Sequence, residues 1–167
     1  MSERGVLLAL ASELEMELTQ RILPYWMTHA VDDLRGGFAG LIDADNVADP
    51  LAPKGAILNA RILWTFAAAE RVLGLRAYRE TAERALCYFR AFFIDRVHGG
   101  VYWMVDADGI RLDERKHVYA QAFAIYALSE HFRASGDDAS LHDALRIYRL
   151  VERHAYDAKH GGYDEAF

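Results

Sequence analysis

Apolar residues fall along this chain in two alternating patterns. Residues 54–73 and 116–132 are apolar on nearly every helical face, broken by a few polar positions such as Asn59, Arg61 and Gln121. A helix that is apolar all round must be buried all round, so both segments are predicted as inner helices. Residues 77–95 and 140–156 carry a single stripe instead. Tyr78, Ala82, Ala85, Phe89 and Phe92 trace it in the first, and Leu141, Ala144, Leu145, Tyr148 and Val151 in the second. Arg79, Glu80, Glu83, Arg84 and Arg90 lie off the first stripe, which predicts outer helices with one wet face. Gly74 and Ser135-Gly136 end the buried segments, and Asp137 or Ser140 is suited to cap the helix that follows. Residues 5–29 form a further amphipathic helix that Pro24 kinks or ends.

The pattern is an internal repeat. At an offset of 62, Lys54 falls on Lys116, Ala60 on Ala122, Arg71 on Arg133, Gly74 on Gly136, and Asp95 with Gly99-Gly100 on Asp157 with Gly161-Gly162. Asp32 with Gly36-Gly37 is an earlier copy, so an Asp-x-x-x-Gly-Gly segment closes a unit three times. The loop from inner to outer helix is only a few residues long, whereas the return takes about 20 and looks like a short hairpin. Val101–Val105, an Asp108-Gly109 turn, then Ile110 and Leu112 make up one such return. Alternating inner and outer helices with every long loop at one end predict an all-α fold, an α/α toroid. The inner-helix N-termini gather at the long-loop end, where their partial positive charge favours a site.

Composition narrows the function classes. The chain has 167 residues, enough for one domain with a core, and 53% of them are apolar. A net charge of −6 argues against nucleic acid or an acidic membrane surface as the main partner. No apolar run is long enough to span a bilayer. Cys87 stands alone, which excludes a disulfide framework and a thiolate metal cluster and suits a reducing cytoplasm. There is no GxGxxG, P-loop or HExxH, so nothing in the sequence requires a metal or nucleotide cofactor.

Several segments together resemble a known family. They are Lys54-Gly-Ala-Ile-Leu-Asn-Ala-Arg61-Ile-Leu-Trp64, Gly99-Gly-Val-Tyr-Trp103-Met-Val-Asp106, Lys116-His-Val-Tyr119-Ala-Gln121-Ala-Phe123 and Gly161-Gly-Tyr-Asp-Glu. In order and spacing they are similar to the N-terminal part of cellobiose 2-epimerases, within the N-acylglucosamine 2-epimerase family, from about Gly36 onward. The resemblance implies an incomplete (α/α)6 toroid, because six hairpins of about 62 residues require roughly 370 residues. It implies a carbohydrate substrate and inversion of C2 of a reducing-end sugar, by proton abstraction and reprotonation through an enediolate. Two groups of near-neutral pKa suit that chemistry, and in the family they are histidines on later inner helices. None of the seven histidines here matches them. His117, beside Lys116 at an inner-helix start, comes nearest to a site. The chain is therefore expected to hold the substrate-binding front of such an enzyme without its acid/base pair.

Arg61 is the first candidate site residue. An unpaired cation two turns into an apolar helix is costly, so it either pairs with an acid such as Asp43 or Asp106 or meets substrate. By resemblance it matches the family's active-site arginine, which contacts the C1–C2 oxygens of the sugar. Tyr119, one turn into the next inner helix, either offers its hydroxyl to a sugar or belongs to the core. Trp103 and Tyr102 on the hairpin either stack on a glucose ring or plug the loop base. Asn59 and Gln121, equivalent in the repeat, are expected to hydrogen-bond between helices.

Three function classes remain open. They are a carbohydrate 2-epimerase, an aldose–ketose isomerase or carboxylate glycosidase on the same barrel, and a non-catalytic helical repeat that binds sugar or protein. An inner helix without a neighbour exposes apolar surface, so self-association is also expected.

Overall fold

Ser2 opens the N-terminal helix by accepting the Gly5 N–H at 3.2 Å. In the computed structural model, which describes residues 2–167, helix α1 (Glu3–Glu17) runs through a π-helical turn, Leu18–Ile22, into α2 (Leu23–His29). Pro24 lies in the first turn of α2. Proline has no N–H to return to the preceding turn, and the wide turn absorbs the missing bond. The segment stays helical to His29, so Pro24 marks an irregularity and not an end. No residue of α1 is buried; the first to be so is Leu23.

Two hairpins follow: α3 (Ala56–Leu73) with α4 (Arg76–Tyr88), which is extended by a second π turn at Phe89–Phe93, and α5 (Val118–Ser135) with α6 (Asp138–His154). Helix α3 packs on α4 and α5, and α5 packs on α6, so the predicted inner helices are neighbours flanked by the outer ones. Leu63 and Phe66, Ala82 and Phe89, and Ala124 and Leu128 are inaccessible and form one core. The short turns follow from backbone chemistry. Gly74 and Gly136 take left-handed φ of 71° and 73°, each returning its N–H to a carbonyl of the last turn at 2.8 Å. Asp137 then caps α6 by accepting the Ala139 and Ser140 N–H groups.

The long loops carry a small antiparallel sheet, β1 (Lys54–Gly55), β2 (Met104–Val105) and β3 (Arg111–Asp113), in that order. Gly55 pairs with Met104. One repeat later His117 bridges Ala166, at positions exactly one offset of 62 further on. Each Asp-x-x-x-Gly-Gly segment is the same turn built three times. The carboxylates of Asp32, Asp95 and Asp157 each accept two backbone N–H groups within the turn. The other carboxylate oxygen of the first two holds the lysine that starts the next inner helix: Lys54 reaches Asp32 at 2.7 Å and Lys116 reaches Asp95 at 2.9 Å. Burial pushes the Asp95 carboxyl up, but the His98 N–H, Lys116 and the Val97 N–H together hold it well below the usual carboxylate range.

Lys116 is thus a clamp between units. Lys116→Met leaves Asp95, which is 2% exposed, as a buried carboxylate without a cation. The expected cost is about 3 kcal/mol, as for removal of one partner from a buried pair, read as a lower urea midpoint. An unchanged midpoint would show that the turn N–H groups suffice.

The two equivalent amides do not join helices. Gln121 holds the loop, accepting the Val101 N–H at 2.7 Å and donating to the Val101 carbonyl at 2.9 Å. Asn59 is one methylene shorter, donates only to the Gly55 carbonyl at 2.9 Å in its own helix, and leaves its Oδ1 unpartnered. The expectation of helix-to-helix bonding is corrected accordingly.

Candidate functional site

Residues three, four and seven apart along α3 and α5 project to one side. On that side lies an open cleft of about 420 Å³ lined by Arg61, Trp64, Thr65, Tyr119, Phe123 and Tyr126. Trp64 and Tyr126 are equivalent in the repeat and stack across the two helices, with centroids 4.8 Å apart and planes 11° apart. Phe123 meets Tyr119 edge-on at 5.0 Å. Arg61 also lines an adjoining hollow of about 210 Å³ against Ile22 and Trp26 of the N-terminal helix.

Arg61 is exposed, not buried as its apolar helix implies. Asp43 and Asp106 are occupied with the backbone N–H groups of their own turns and do not pair with it. Among the described residues no carboxylate bridges it, and its guanidinium faces the cleft free. Tyr119 is 60% exposed on the same face, so its ring is not core.

The hairpin aromatics part company. Tyr102 is 2% exposed, and two cations face its ring: Lys116 Nζ lies 4.1 Å and Arg111 Cζ 4.5 Å from the ring centroid. Burial and the neighbouring Asp95 carboxylate push its hydroxyl up to about 12. The structure seats it as the plug of the loop, away from the cleft. Trp103 is half-buried and touches His117, with centroids 4.5 Å apart. Its carbonyl accepts the Ala56 N–H at 3.0 Å and so ties the hairpin to the start of α3. Trp64, Thr65, Phe123 and Tyr126 are cleft residues that sequence reasoning did not place there. Their signal is the spacing: three and four after Arg61, four and seven after Tyr119.

The other histidines are dispersed. His131 is buried against Ser140 at 2.9 Å, with burial holding its pKa down, and His160 is held by Asp157 at 2.8 Å. His29 lies against Tyr25, and His154 against Phe167. None lines the Arg61 cleft.

The cleft brings together a free guanidinium, a flat aromatic pair and the three hydroxyls of Thr65, Tyr119 and Tyr126. Comparison with known proteins identifies the family. The family model of N-acylglucosamine 2-epimerase matches residues 36–167. The chain belongs to that family. It is 50% identical over 157 residues to the cellobiose 2-epimerase of Bacteroides fragilis, covering 94% of this chain and 40% of that protein. Among solved structures, the cellobiose 2-epimerase of Spirochaeta thermophila superposes with a TM-score of 0.95 at 40% identity, covering all of this chain and 41% of that one. That of Bacillus thermoamylovorans gives a TM-score of 0.92 at 40% identity, over 95% and 41%. This epimerase-family chain therefore has the fold of part of an (α/α)6 toroid, and it spans about 40% of the length of these relatives. No helix among the described residues is long and apolar enough to cross a membrane.

Proposed function

We propose that this chain forms the substrate-binding front of a cellobiose-type sugar 2-epimerase. The observation that carries it is the unpaired Arg61, set in a cleft of aromatic rings and hydroxyls on a chain half identical to a cellobiose 2-epimerase. In the proposed reaction a base removes the C2 proton of the open-chain sugar, acidified by the neighbouring C1 carbonyl. The enediolate that results is reprotonated on its opposite face. Arg61 stabilises the negative charge that develops on oxygen, as a fixed donor does in a shielded site. Trp64 and Tyr126 supply an apolar platform for a sugar face, and Tyr119 and Trp103 border the long-loop end. Tyr102 supports the loop beneath them.

The test is a chimera in which residues 1–167 replace the matching portion of the Bacteroides fragilis enzyme. Conversion of cellobiose to glucosyl-mannose is expected. A folded chimera that yields only a ketose would favour an aldose–ketose isomerase, and one that turns over no sugar would favour a binding repeat.

The same face bears on the chain's state in solution. Tyr119 and Tyr126 are 60% and 47% exposed, and Leu7, Leu8 and Leu14 of α1 are more than 60% exposed. Apolar patches beyond a few hundred Å² drive association. The 167-residue chain is expected to self-associate, seen as scattering mass that rises with concentration. A monodisperse 18.9 kDa species at all concentrations would overturn this.

A further inference from the structure

Two surface grooves are the same place built twice. Each lies between an Asp-x-x-x-Gly-Gly turn and the next outer helix, the first against α4 and the second against α6. In the first, Arg84 is fully engaged. It donates to the carbonyls of Gly37, at 3.1 Å, and Asp32, and pairs with Asp33 at 3.5 Å. Tyr88 lies so tightly beneath the turn that a Cβ on Gly37 would fall 2.5 Å from its ring.

The repeat shows what has changed in the second groove. At the offset of 62, Leu150 stands where Tyr88 does, Arg149 where Cys87 does and Arg153 where Ala91 does; in the turns, aligned on Asp32 and Asp95, Arg96 stands where Asp33 does. Arg146, the equivalent of Arg84, has thereby lost its acid to a like charge. The acids that line this groove are already taken: Asp143 by Arg90 at 3.0 Å and Arg96 at 3.1 Å, and Asp95 by Lys116 at 2.9 Å. Arg146, Arg149 and Arg153 have no ion pair or side-chain hydrogen bond among the described residues, and with His98 they line a groove of about 320 Å³. A solvated helix face ordinarily mixes acids among its bases; here three guanidiniums share one face, at i, i+3 and i+7, on a chain of net charge −6. Their mutual repulsion is relieved by a bound anion, and the planar fork of arginine matches a phosphate edge with two parallel N–H donors.

We propose that the groove between the Asp95–Gly100 turn and α6 binds a phosphate group, carried as the free ion or as the ester of a small molecule. It lies away from the Arg61 cleft and shares no lining residue with it. Its occupant is therefore a second ligand, and binding here does not depend on the epimerase reading.

The experiment is calorimetric titration of the 167-residue chain with inorganic phosphate and with glucose 6-phosphate, at about 0.15 M chloride to screen diffuse attraction. Saturable binding of at least one is expected. Arg146→Ala with Arg149→Ala should weaken it about tenfold or more, whereas the charge-matched pair Arg4→Ala with Arg21→Ala on the N-terminal helix should leave it unchanged. All four side chains are exposed, so circular dichroism of both variants should match the parent. If glucose 6-phosphate binds about tenfold tighter than phosphate, the ester is the ligand; equal affinities assign the free ion. No saturable binding of either, or equal weakening by both double variants, overturns the proposal.

Discussion

Replacing Arg61 by alanine in the chimera described above is expected to lower cellobiose turnover by about 10²-fold or more, with the fold intact. Removal of one preformed donor to a developing oxyanion costs a factor of this size. The geometry argues against the structural alternative: Arg61 is exposed, and Asp43 and Asp106 spend their oxygens on their own turns. Its loss therefore orphans no buried acid. Arg61→Lys should rescue poorly, because an ammonium point charge cannot copy a planar fork across two adjacent oxygens. The readings that separate the cases are turnover and melting temperature together. A melting temperature that drops steeply while the folded fraction keeps its activity would mean that Arg61 supports the helices and not the substrate.

The 167-residue chain by itself is expected to epimerise cellobiose at no more than a trace rate. The cleft lining supplies a cation, hydroxyls and aromatic rings but no histidine or carboxylate to move the C2 proton. General acid–base catalysis is worth about 10²–10⁴-fold, and two such groups on opposite faces are needed. His117 comes nearest, but its ring lies against Trp103 at the long-loop end. Turnover of about 1 s⁻¹, ordinary for an enzyme, would sink this expectation and direct attention to His117 or to a second copy of the chain as the proton carrier.

Much of the architecture was legible because it rests on local rules. The two periodicities separated inner from outer helices, Gly74 and Gly136 ended the inner ones where left-handed backbone was needed, and the offset of 62 carried across to the β-bridges. The site was less so. An apolar helix reads as surrounded, but a helix at the rim of an open cleft also presents aromatic side chains to solvent. That is why Arg61 and Tyr119 are exposed, on the same face as the stacked rings of Trp64 and Tyr126. Tyr102 and Trp103 are adjacent and look alike in the sequence. Just before β2 the backbone turns Tyr102 inward against two cations and leaves Trp103 half-buried. The fate of Gln121 and Asn59 turned on a single methylene, which no periodicity can register.

The lysine clamps also bear on how the molecule comes together. Asp32 and Asp95 are matched by lysines only 22 and 21 residues downstream, so closing these two loops costs little chain entropy. Contacts of such short range favour fast folding. They also let these turns begin to close in the order of synthesis: Lys54 can reach Asp32 before Arg84 and Tyr88 emerge to complete the same turn. Each lysine thus ties the start of an inner helix to the turn just before it, and the longer-range partners, such as Arg84 on the Asp32 turn and Arg90 on Asp143, are added as later helices emerge.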